Sequence, residues 1–191
     1  MTHTVEQKLA LAIRITTIPP FMAAVGILIL HRHFPAEYSL SSLFFLTAAP
    51  VAAYPIWWVI PKLREGGRRT QRALAVALSV AGYLAGSLWC GFVTREYASL
   101  QVYLIYLISG GLIALFSYVF GIRGSGHASG VVGPVAVMVW RLGPWYLLGA
   151  GLIAAVFWSS VKLGRHTLRE LMLGGLFPIF GAVAVSFLPL G

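Results

Sequence analysis

The chain has 191 residues, 59% of them apolar and only 10% charged, with a formal charge of +9 and a mean hydropathy of +0.85. A soluble domain carries about 25% charged residues. The composition excludes an ordinary soluble enzyme and predicts an all-α polytopic membrane protein, folded as one transmembrane domain over residues 1–191.

In chain order the apolar blocks are Leu9–Leu30, Ser41–Ile60, Ala73–Thr94, Leu100–Phe120, Ala128–Trp140, Trp145–Val161 and Leu171–Leu188. A crossing helix needs about 20 residues, with about 17 as the short limit. The first four blocks meet this. Trp145–Val161 sits at the limit, Leu171–Leu188 reaches it with a few preceding residues, and Ala128–Trp140 spans only if it starts at Ser125. The expectation is a bundle of six to seven transmembrane helices, seven in the fuller count. Leu9–Leu30 is too long for a signal-peptide core and lacks a small-residue cleavage motif. Pro19-Pro20 lies inside it and predicts a kink. Trp57, Trp58, Trp145 and Trp158 read as interfacial anchors, and Gly110-Gly111, Gly149 and Gly151 as points of close helix packing. His31 and His33 flank Arg32 in what reads as a solvated loop. Cys90 is the single cysteine and reads as core packing.

The loops are short, so successive helices alternate in direction. The N-terminus and segments 61–72, 121–127 and 162–170 then share one face, and segments 31–40, 95–99 and 141–144 share the other. Lys and Arg divide 11 to 3 in favour of the first face. Its members are Lys8, Arg14, Lys62, Arg64, Arg68, Arg69, Arg72, Arg123, Lys162, Arg165 and Arg169; Arg32, Arg95 and Arg141 lie opposite. By the positive-inside rule the first face is cytoplasmic. These charges sit beside membrane segments, where headgroups and topology account for them, so nucleic acid is not an expected partner. No GxGxxG, P-loop, HExxH or carboxylate-rich cation site occurs.

Three polar clusters fall on the basic face: PKLREGGRRTQR at 61–72, GSGH at 124–127 and WSSVKLGRHTLREL at 158–171. Lys62 and Arg69 supply positive charge, the arginine with a planar fork suited to phosphate oxygens. Ser125 and Gly126 open a helix, whose first N–H groups favour an anion. His127, one step inside, is placed to give a proton to a leaving oxygen. His166 and Glu170 are four residues apart, so the carboxylate can hold the imidazole and raise its basicity. A histidine so oriented is a nucleophile candidate.

With these residues the sequence resembles the type 2 phosphatidic acid phosphatases, which share a fold with vanadium haloperoxidases. The family pattern is KxxxxxxRP, then PSGH, then SRxxxxxHxxxD. Lys62 and Arg69 match the first without its proline. Gly124-Ser125-Gly126-His127 matches the second without its proline. Ser159, Ser160, His166 and Glu170 match the third in spacing. The resemblance covers roughly residues 55 to 188. It implies that Lys62 and Arg69 bind phosphate, that Ser125 and the Gly126 backbone hold its oxygens, and that His166 attacks phosphorus to form a phosphohistidine. His127 would protonate the leaving alcohol. It implies no metal and no cofactor, since phosphoryl transfer mainly needs positioning and charge stabilisation.

The third motif departs from the pattern. Ser160 stands where the family has an arginine that also grips phosphate, and Glu170 stands for its aspartate. Loss of one charged hydrogen bond costs about 10–100-fold or more. Arg123 and Arg165 are the expected substitutes; Lys162 is rotated about 200° from Ser160 if the helix continues. The leading expectation is an integral membrane phosphatase acting on a lipid phosphate or pyrophosphate of the phosphatidic acid, phosphatidylglycerol phosphate or polyprenyl type. A second reading is a catalytically impaired relative that binds or moves an anionic lipid, favoured by Ser160. An unrelated transporter or structural bundle leaves three ordered motif matches unexplained. The family works more often on the outer side of the membrane, against the charge count. The outer face of a bacterial cytoplasmic membrane is the expectation adopted. The sequence leaves the oligomeric state open.

Overall fold

The structure, a computed structural model, describes residues 4–189, and the described residues contain helices and no strand. We number the helices α1 Val5–Thr16, α2 Pro19–His33, α3 Ser41–Val59, α4 Pro61–Glu65, α5 Gly67–Thr94, α6 Tyr97–Val119, α7 Gly126–Leu142, α8 Pro144–Lys162 and α9 Leu168–Ser186. Five of them (α3, α5, α6, α8 and α9) are long and apolar enough to cross a membrane. The pair α1 and α2, bent by 54°, makes a sixth span if taken as one. The protein is therefore an all-α polytopic bundle.

The first apolar block is broken rather than kinked. α1 ends at Thr16, and Ile18 turns extended with ψ 141°. The cause is local. A residue before proline is pushed out of the helical region, and Pro19 with its fixed φ is suited to the first helical position, where no N–H is needed. The fifth block becomes α7, of 17 residues. That is about 25 Å of helix against a hydrocarbon core of about 30 Å, so α7 falls short of a full crossing. The last block starts earlier than its apolar run, at Leu168, because Thr167 and Glu170 form a capping box there.

α7 sits at the centre and is buried without interruption from Ala128 to Val135. α2, α8 and α9 pack along it, α9 also lies against α6, and α1 lies along α8. α5 covers α6 and is itself covered by α3. Lipid offers no hydrophobic drive between helices, so close approach rests on small residues. A Cβ on Gly130 would come within 2.5 Å of Pro19, and one on Gly86 within 2.3 Å of the buried Tyr103 ring. Gly149 packs on Val135 as expected, but Gly110, Gly111 and Gly151 face open space and are not packing points. His31 and His33 close the last turn of α2 rather than sitting in a loop, and each ring holds a carbonyl oxygen, of Tyr38 and Ile29. Trp58, Trp145 and Trp158 are exposed at or near helix ends, and Cys90 is fully buried.

Candidate functional site: a cationic recess at the start of α7

The start of α7 is fixed by α9. Ser125 is the N-cap residue; its hydroxyl accepts from Ala128 N–H at 3.3 Å, and its own N–H donates to the Glu170 carbonyl at 3.0 Å. A Cβ on Gly174 would meet Ser125 O at 2.3 Å, so only glycine lets the two backbones come this close. Gly174 lies six residues past Leu168, so α7 begins about 9 Å deeper than α9. Its first N–H groups, those of Gly126 and His127, have no protein acceptor among the described residues, and the space beside Gly126 is open. A helix N-terminus in that state attracts an anion.

His127 is held from α1. Its Nε2 lies 3.1 Å from Thr17 Oγ1, and the buried Thr17 hydroxyl donates to Ile13 O at 2.6 Å. A hydroxyl has one hydrogen, so Thr17 can only accept from the ring, and His127 carries its proton on Nε2. His166 is set the opposite way. Its Nδ1 lies 3.1 Å from Glu170 Oε2, which also accepts the Thr167 N–H at 3.0 Å. A carboxylate only accepts, so Nδ1 holds the proton and Nε2 presents a lone pair. Glu170 thus has two tasks with one oxygen: it caps α9 and orients the imidazole.

Ser160 is fully buried near the end of α8, and Arg14 Nη1 of α1 donates to its hydroxyl at 2.7 Å. The Arg165 N–H closes onto Ser160 O at 3.0 Å, over a turn in which Gly164 takes φ 60°. Lys162 is committed elsewhere, in an ion pair with Glu6. The two histidines lie within electrostatic reach of each other, as do Arg14 with His127, Arg14 with Arg165, and Arg123 with Glu170. The chain has five acidic residues, all glutamates. Glu6 is paired with Lys162 and Glu37 with Arg141, while Glu65 and Glu96 belong to α4 and the α5–α6 turn. Glu170, turned to His166 and Thr167, is the one carboxylate in the recess.

Hydrogen bonds join Ser125, next to Gly126, with Glu170 and His166, and Arg123, His127 and Arg165 lie within electrostatic reach of this group. Lys62 and Arg69 make no hydrogen bond or ion pair with them among the described residues. Both are exposed, on α4 and the first turn of α5, which pack on each other and on α3. The contacts of Tyr83 with Tyr106 and of Gly86 with Tyr103 set the α5–α6 register, and by helix counting put Arg69 level with the end of α6. That is the end of α6 from which the chain runs on to Arg123 and Ser125.

Arg14 and Thr17 were not expected. Their signal was present: a charge and a hydroxyl at the end of an apolar run, where ionisable groups tend to be functional. By sequence alone Arg14 falls among the topogenic charges. Beside the recess, between α8 and the start of α9, an apolar groove of about 400 Å³ is lined by Phe157, Trp158, Val161, Lys162 and Leu168. Among the described residues no three His, Cys, Asp or Glu side chains come together.

Comparison with protein-family models, with curated proteins and with solved structures gives no match to this chain.

Proposed function

We propose that the protein is an integral membrane phosphatase that hydrolyses a lipid phosphate or pyrophosphate through a phosphohistidine. One observation carries this reading: two imidazoles of opposite protonation, His166 with a free Nε2 lone pair and His127 with an Nε2–H, share a recess in which cations outnumber carboxylates. The Nε2 lone pair of His166 forms a bond to phosphorus as the bond from phosphorus to the lipid oxygen breaks. Burial and the nearby Arg14 charge hold His127 neutral at rest, its pKa pushed down to about 4, so the substrate's monoanionic phosphate first passes its proton to Nδ1, which gives it to the leaving oxygen while Nε2–H stays on Thr17. Water then attacks phosphorus, His127 takes the water's proton, the P–N bond breaks, and phosphate leaves. Glu170 stabilises the charge that His166 acquires on attack. The apolar groove beside the recess favours a lipid over a soluble ester.

The test is inorganic phosphate release by the solubilised protein from phosphatidic acid, phosphatidylglycerol phosphate and a polyprenyl pyrophosphate. Release that vanishes in His166→Ala, with an acid-labile phosphoenzyme in the parent, is expected. The second reading, a lipid-binding relative without turnover, is favoured by the serine at 160. It predicts that such lipids bind and are not hydrolysed. We place the recess on the outer face of a bacterial cytoplasmic membrane. An Arg68→Cys variant in a Cys90→Ala background should then react with an impermeant thiol reagent in intact cells. Reaction only after permeabilisation refutes that orientation.

A further inference from the structure

The guanidinium of Arg14 is the least compensated charge in the recess. It is half-buried, its one described hydrogen bond goes to the Ser160 hydroxyl, and it has no carboxylate partner among the described residues. A guanidinium offers five donors, so most of its capacity is unused. Its place in the last turn of α1 favours the charge, but Arg165 is a like charge and the start of α7 presents the positive end of a helix. A half-buried guanidinium with unused donors and a like charge nearby is stabilised when an anion joins it.

We propose that Arg14, delivered by α1, is the residue that grips the phosphoryl oxygens, with Ser160 as its seat. This deepens the phosphatase reading and rests on it. Ser160 has no room for a long side chain, because it is fully buried and Arg14 already lies against its hydroxyl. The positive charge that the third motif lacks at 160 is thus supplied from the far end of the chain, 146 residues away in sequence. A planar fork meets two phosphoryl oxygens at once, which a lysine cannot do. Arg123 and Arg165, both exposed, stand at the rim, where they attract the anion without fixing it. α1 is therefore part of the active site.

The experiment measures two quantities on the full-length solubilised protein: kcat/KM on the best lipid phosphate, and binding of inorganic phosphate by calorimetry. Arg14→Gln should lower kcat/KM about 100-fold, two lost charged hydrogen bonds, and weaken phosphate binding at least about tenfold. Arg14→Lys, which keeps the charge and guards against misfolding of the first variant, should stay at least about tenfold below the parent. Ser160→Arg alone should lose activity, because two guanidinium groups compete for one seat. Combined with Arg14→Ala, it should recover part of the loss. If the parent hydrolyses lipid phosphates and Arg14→Gln does so equally well, the role given to Arg14 is overturned and the phosphatase reading stands. If the parent hydrolyses none of them but Arg14→Gln still abolishes phosphate binding, hydrolysis falls and the grip by Arg14 stands. If Arg14→Gln leaves phosphate affinity unchanged, Arg14 is not the grip.

Discussion

The two ends of α7 each meet an arginine, and the two are treated in opposite ways. At the C-terminal end Arg141 forms an ion pair with Glu37, and its guanidinium lies 5.6, 5.7 and 5.9 Å from the ring centres of Phe34, Tyr38 and Trp140. It also stands at the negative end of the helix, which favours a cation. At the N-terminal end Arg14 also stands in the last turn of its own helix, α1, but its one described partner is a serine hydroxyl, with an arginine and the positive end of α7 nearby. Every influence on Arg141 is favourable, and its charge is spent on holding the fold. Arg14 has a helix end without the carboxylate or the rings, so its charge is left for the phosphate proposed to bind there. A protein tolerates such a site where it works.

The largest effect should come from removing the nucleophile. His166→Ala is expected to cut phosphate release by about 10⁴-fold or more while leaving the melting temperature near the parent's. Activity surviving within tenfold would show that the N-terminal end of α7 does no chemistry through His166. Gly174→Ala is the next test. Its new methyl must push the Ser125 backbone away, so it displaces the start of α7 and should destabilise the fold by about 1–3 kcal/mol and lower turnover together. Gly151→Ala, facing open space, is the control and should be silent.

At the other end of α7, Arg141→Gln should do the reverse of Arg14→Gln. It leaves Glu37 without its partner and loses the aromatic contacts, a cost of about 1–3 kcal/mol in stability, with turnover of the folded fraction within about twofold. A thermal melt beside an activity assay separates the two outcomes; a melt unchanged by Arg141→Gln breaks the comparison. The smallest effect belongs to Lys62→Gln. Lys62 is exposed and has no described hydrogen bond or ion pair in the recess, so kcat/KM should fall by less than about threefold, and less at higher salt. A loss as large as that of Arg14→Gln would mean that α4 closes over the recess during turnover.

Much of this was legible along the chain. Apolar run length specifies helices, because lipid leaves the backbone no other way to satisfy its polar groups. Ser125 before a glycine and a histidine is a local capping signal, and the four-residue step from His166 to Glu170 is helix geometry. Those relations lie within one turn of one helix, so sequence alone determined them. Which helices stand side by side was decided by the tertiary structure. Run length and periodicity say that a segment crosses the membrane, and charge says which end faces which side, but neither says which neighbour it touches. That choice was made by steric fit: Gly130 receiving Pro19, Gly174 receiving Ser125, and the Pro19-Pro20 break aiming α1 along α8. It set Arg14 on Ser160.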